Sequence, residues 1–139
     1  MNVVPLISIV DDDESVRESL ESLLKSMGFR VGLHSGAESF LISPELDHTD
    51  CLILDVRLGG KSGPELQREL IAGNRHVPTV FITGHGDAAT RRRVMADGAI
   101  ECLSKPFSDE ILLSCVRTAL DHRRKSRDPG SHPAKESDT

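Results

Sequence analysis

"LISIVDDDES", residues 6–15, runs from an apolar stretch rich in Ile and Val straight into four consecutive acids, Asp11, Asp12, Asp13 and Glu14. Five residues of that character, with no polar break beyond Ser8, read as a strand buried on both faces. The acids that follow pose a problem of charge. Two carboxylates about 4 Å apart repel by roughly 4 kcal/mol at an effective dielectric near 20. Water, a helix N-terminus or a bound cation has to offset that repulsion.

Outward from this stretch, strand-like and helix-like patterns alternate five times. Further strands are expected at residues 29–34, 51–56, 79–83 and 100–104, and three of the five are almost unbroken in apolar residues. Between them, residues 14–27 repeat Val16, Leu20, Leu23, Leu24 and Met27 on one helical face, and Gly28 supplies a stop. A last helix over 109–122 places Ile111, Leu112, Cys115, Val116, Ala119 and Leu120 on one stripe behind Ser108 as a cap. Weaker helices are expected over 37–42, 63–72 and 88–97. Such alternation with short links predicts an α/β domain, one parallel sheet covered by helices on both faces. From Arg123 the apolar pattern stops, so residues 1–122 read as the domain and 123–139 as a disordered polar tail or the start of a linker.

The 139 residues suffice for one domain, and the −5 net charge argues against nucleic-acid binding by it. No apolar run reaches membrane-spanning length, and "MNVVPLIS" lacks the pattern of a secretion signal. Cys51, Cys102 and Cys115 sit in apolar patterns without metal-type spacing and read as buried thiols of a reducing, cytoplasmic protein.

In an open parallel sheet the crevice lies beyond the carboxyl ends of the strands. Those ends deliver Asp11 and Asp12, Asp55, Thr83 and Lys105. Singly, each has an ordinary explanation: a cap for Asp13, a strand residue for Thr83, a solvated charge for Lys105. Together they make a different pattern. Clustered acids suit a hard cation such as Mg2+, held by carboxylates and water. A third carboxylate with an ammonium and a hydroxyl opposite suits a phosphoryl group.

"IVDDDESVRESL", "LILDVRLGGKSG", "FITGHGD" and "SKPF" resemble the motifs of the two-component response-regulator receiver domain, in the subgroup commonly joined to a LuxR-type DNA-binding output domain. The resemblance covers about residues 6–122. It implies a flavodoxin-like (βα)5 three-layer sandwich with strand order 2-1-3-4-5. It also implies Asp55 as phosphoacceptor, with Mg2+ held by Asp11, Asp12, Asp55 and the backbone carbonyl of Arg57. Thr83 and Lys105 would contact the phosphoryl oxygens, and the bond before Pro106 would be cis. The implied partner is a sensor histidine kinase or a histidine phosphotransfer protein, with a possible homodimer through helix 4, strand 5 and helix 5. No membrane and no direct nucleic-acid contact are implied for this domain.

Two departures from the family pattern stand out. Gly59 and Gly60 occupy the region where the family usually has a Pro, which predicts a looser loop. Cys102 stands where the family usually has Phe or Tyr, and a thiol cannot sweep the volume of a ring that swings with Thr83. The competing reading is a haloacid-dehalogenase-type phosphatase with Asp11 as nucleophile, Asp13 as acid, and Thr83 and Lys105 in support. It lacks the late acidic pair such enzymes use for Mg2+. A flavodoxin-like cofactor binder is a third reading, disfavoured because "DDDES" would repel a phosphate. "TRRRV" at 90–94 reads first as a solvated helix surface and second as a partner face. His85 reads as a loop residue, and "HRRKSR" as a complement to the last helix dipole. The polar tail, with no second hydrophobic pattern, favours a receiver that stands alone.

Overall fold

A computed structural model describes residues 3–84 and 87–127. His85 and most of the expected tail lie outside the described residues. Five parallel strands, β1 (Leu6–Val10), β2 (Arg30–His34), β3 (Cys51–Asp55), β4 (Thr79–Thr83) and β5 (Glu101–Ser104), form one sheet in the order β2-β1-β3-β4-β5. The helices between them are α1 (Glu14–Ser26), α2 (Ala37–Leu41), α3 (Gly63–Ala72), α4 (Ala88–Ala96) and α5 (Asp109–Arg127). The expected α/β class and strand order are therefore present.

β1, β3 and β4 are buried along their whole length, which is why they read as continuous apolar runs. Their two-residue alternation splits the core. Ile7, Ile9, Ile53, Val80 and Ile82 face α1 and α5, where Leu20, Leu24, Leu112 and Val116 meet them. Val10, Leu52, Leu54 and Phe81 face the other way, against Phe40, Leu66, Leu70 and Val94 of α2, α3 and α4. Ser8, the polar residue inside β1, shares a 2.7 Å hydrogen bond with the Thr49 hydroxyl. That bond offsets the desolvation of both groups.

Local chemistry sets the helix limits. Asp13 caps α1, its Oδ1 accepting the Val16 N–H at 3.2 Å, and Gly28 ends the turn at φ 90°. Ser62 and Glu65 form a reciprocal capping box at the start of α3. A 3-10 turn at Leu46–His48 precedes β3, too short to leave a periodic signal in the sequence. The expected end at residue 122 needs correction, because α5 continues to Arg127. Arg123 fastens this last turn, its Nη1 donating to the His76 carbonyl at 2.9 Å and its Nε lying 3.7 Å from Asp50 Oδ1. No Gly or Pro interrupts the chain before Pro129, and the basic residues there are good helix formers near a favourable dipole end.

Candidate functional site

Asp11 directly follows β1, Asp55 and Thr83 close β3 and β4, and Lys105 follows β5, so the sheet presents all four at one edge. Pairing in register keeps the strand ends level: Val10 lies beside Leu54, Asp55 beside Ile82, and Thr83 beside Ser104. Carboxylate oxygens of Asp11, Asp12 and Asp55 all lie within 4.8 Å of one another. Lys105 Nζ is 4.0 Å from Asp11 Oδ2. The Lys105–Pro106 peptide is cis.

Asp11 is held from several directions. Its N–H donates to the His34 carbonyl at 3.1 Å and its carbonyl accepts from Arg17 Nη1 at 2.7 Å. Oδ1 accepts the Asp13 N–H at 2.9 Å. Oδ2 is buried without a hydrogen-bond partner, on a side chain with no exposed surface. A buried carboxylate oxygen left in that state is costly. It is the observation that tests the cation: three oxygen donors, one of them buried with no hydrogen bond and faced by the Lys105 ammonium at 4.0 Å, fit a hard divalent ion such as Mg2+. Asp12 is exposed and completes the rim.

Burial raises the Asp11 carboxyl above its ordinary range. Asp55, nearly buried, is pushed up to about 6, first by burial and then by the Asp11 charge, against the opposing Arg57 N–H and Lys105. That N–H donates to Asp55 Oδ1 at 3.2 Å. The raised value carries a sign for stability. Between the ordinary 3.8 and about 6, the folded chain binds a proton at Asp55 that the unfolded chain does not. The metal-free protein is therefore expected to gain stability from this group as pH falls through 6 towards 4. Urea titrations across that window check this, and the Asp55→Asn chain is expected to lack that component. Equal pH slopes for the two chains would contradict the assignment.

The β3–α3 loop is drawn tightly to the site. The Gly63 N–H donates to the Val56 carbonyl at 3.1 Å, and a Cβ on Gly63 would overlap the Asp55 carbonyl oxygen. Only glycine lets α3 start this close to β3. The looser loop expected from Gly59 and Gly60 is restrained from outside, because the Lys61 N–H donates to Glu38 Oε2 at 3.0 Å.

Near Thr83, a cavity of about 30 Å3 is lined by Val56, Arg57, Thr83, Asp87, Thr90, Arg91 and Cys102. It has room for a water molecule, and the Cys102 thiol leaves that room unfilled. Arg91 crosses from α4 to the edge strand β5, donating to the Cys102 carbonyl and, at 2.6 Å, to Glu101 Oε2. Arg91 is exposed, as the solvated-surface reading of "TRRRV" expects, and it also makes this link to β5, which that reading does not include. Sequence reading missed Glu38 and Arg17, and for Arg91 the particular partners on β5, because these partners lie far away or on the main chain. The capping pair Ser62 and Glu65 carried a legible S-x-x-E signal.

The model of the response regulator receiver domain matches residues 7–117. The chain belongs to the response regulator receiver domain family. Nodulation protein W of Bradyrhizobium diazoefficiens is 46% identical over 123 residues, covering 88% of this chain and 54% of that protein. Response regulator protein TmoT of Ectopseudomonas mendocina is 44% identical over 115 residues, 83% of this chain and 52% of that one. This receiver therefore spans about half the length of these curated relatives. Among solved structures, response regulator StyR aligns at TM-score 0.82 and 44% identity over 90% of this chain and 63% of that one. FixJ-N aligns at TM-score 0.78 and 35% identity over 88% and 97%. Family membership places this receiver in two-component signal transduction. The phosphatase alternative finds no support among these relatives. Among the described residues no helix is long and apolar enough to cross a membrane.

Proposed function

We propose that Asp55 is the phosphoacceptor of this receiver, charged by a partner histidine kinase or a histidine phosphotransfer protein. The observation that carries the reading is the Asp11 Oδ2, buried without a hydrogen bond beside Asp55, with Lys105 Nζ 4.0 Å away. Asp11, Asp12 and Asp55, with the Arg57 carbonyl, would hold Mg2+. Bound there, the ion supplies positive charge against the oxygens of a phosphoryl group. Asp55 attacks phosphorus through a carboxylate oxygen, and the bond from phosphorus to the donor nitrogen breaks as the new one forms. Lys105 offers its ammonium, and Thr83 its hydroxyl, to the transferred oxygens. Asp55 has to be ionised to attack, so its raised pKa makes the metal-free site a weaker nucleophile below pH about 6.

The readout departs from the family pattern. With Cys102 in place of an aromatic ring, Arg91 supplies the link between α4 and β5 beside the Thr83 cavity. The face formed by α4, β5 and α5 is the proposed homodimer surface. In place of the stand-alone expectation, a LuxR-type DNA-binding output carried elsewhere in a longer protein is supported by curated relatives of which this chain spans only about half. One of them, from Rhizobium meliloti, is by name the transcriptional regulatory protein FixJ. The receiver itself, at net charge −5, is proposed to act in the cytoplasm without touching nucleic acid or membrane.

Incubation with acetyl phosphate tests the chemistry. The chain is expected to take up a phosphoryl group when Mg2+ is present and none when the metal is chelated. Uptake indifferent to the metal, or no uptake under saturating donor and Mg2+, overturns the reading.

A further inference from the structure

We infer that Glu38, on α2, is a positioning residue that holds the glycine loop against the acid cluster and thereby sets how tightly the cluster binds its cation. The inference rests on the reading of Asp11, Asp12 and Asp55 as a divalent-cation site. Between β3 and α3 the chain runs through Gly59 and Gly60, which lack any side chain to fix their backbone. One side of this loop faces Asp12: a Cβ placed on Gly59 would lie 3.9 Å from Asp12 Oδ2. The other side faces Glu38. A Cβ placed on Gly60 would come within 2.9 Å of Glu38 Oε2, and the Lys61 N–H donates to that same oxygen at 3.0 Å. The second glycine is thus the residue that admits the Glu38 carboxylate to the loop backbone.

The ends of the loop are secured separately. Val56 is tied to Gly63, and Ser62 to Glu65, while Lys61 Nζ reaches Glu69 Oε1 at 2.7 Å. What these leave free is the middle, where the chain passes Asp12. Glu38 restrains it from an anchored base. Its helix follows the end of β2, whose His34 carbonyl accepts the Asp11 N–H. One corner of the fold, β2 into α2, therefore locates both Asp11 and the glycine loop. The Lys61 N–H also draws the Glu38 carboxyl below its ordinary range, so the acceptor is ionised at neutral pH. Groups that orient a metal site without ligating the ion can matter nearly as much as the ligands.

The test compares the full chain with Glu38→Ala and Glu38→Gln, using Mg2+ titrations followed by amide resonances and, without metal, exchange of the Lys61 amide. Glu38→Ala is expected to weaken Mg2+ binding by about tenfold, the low end for a group outside the ligand set. It is also expected to speed Lys61 exchange while the amide spectrum of the core stays put. Glu38→Gln keeps an acceptor oxygen and is expected to restore most of both. Wild-type affinity in Glu38→Ala overturns the inference, and so does a Glu38→Gln chain as weak as Glu38→Ala, because long-range charge would then explain the effect. Should the unsubstituted chain show no saturable Mg2+ binding, the cation reading itself fails. Unchanged Lys61 exchange in Glu38→Ala would sink the tether independently of the metal.

Discussion

Asp55→Asn is expected to take up no phosphoryl group from acetyl phosphate in Mg2+, while folding as the unsubstituted chain does. The two side chains have nearly the same shape, and the amide carbonyl can still accept the Arg57 N–H that reaches Asp55 Oδ1 at 3.2 Å. What disappears is the anionic oxygen proposed to attack phosphorus. One buried charge beside Asp11 also disappears, so at neutral pH the metal-free variant is expected to be more stable than its parent. Burial and the Asp11 charge both work against ionised Asp55, and neither penalty applies to an amide. Phosphoryl uptake measured by intact-mass spectrometry, paired with urea denaturation, checks both halves. Uptake persisting in Asp55→Asn would move the nucleophile elsewhere, with Asp11 as the first place to look.

Phe81→Ala is expected to cost about 3–5 kcal/mol, the range for removing a buried aromatic side chain. Phe81 has no exposed surface at the centre of β4, in one cluster with Leu54, Leu66, Phe40, Val94 and Cys102. The chain has four Phe and neither Trp nor Tyr, so few other side chains could fill the vacated volume. Cys102 lies beside Phe81 in the ladder and is too small to move in. Total stability for a domain of this kind is about 5–15 kcal/mol, so the loss would consume a large share of it. A urea midpoint that barely moves would show that the core between the sheet and α2, α3 and α4 is packed differently.

The sheet and the acid cluster were legible for the same reason. β1, β3 and β4 are central and buried on both faces, so their apolar runs are unbroken, and whatever polar residue follows such a run stands at a strand end. Asp11, Asp55 and Thr83 are found that way with no knowledge of their partners. Edge strands are less visible: β2 and β5 alternate in burial and blurred by a residue at their starts. The end of α5 was misplaced because its last turn is held by Asp50 and the His76 carbonyl, far away in sequence. Glu38 and Arg91 escaped for a related reason. Each is an ordinary charged residue on a short helix, and its meaning lies in hydrogen bonds to groups elsewhere in the chain, Glu38 to the Lys61 N–H and Arg91 to the Cys102 carbonyl and Glu101.

On the proposed reading, three carboxylates brought to one sheet edge tolerate their mutual repulsion because they serve a divalent cation. Titration of the isotopically labelled chain with Mg2+, following the side-chain carboxyl carbons, tests it most directly. Saturable shifts concentrated at residues 11, 12 and 55, with the Asp55 carboxyl ionising at lower pH once the ion is bound, are the predicted result. Shifts spread evenly over exposed acids, with those three residues no more responsive than the rest, would contradict it.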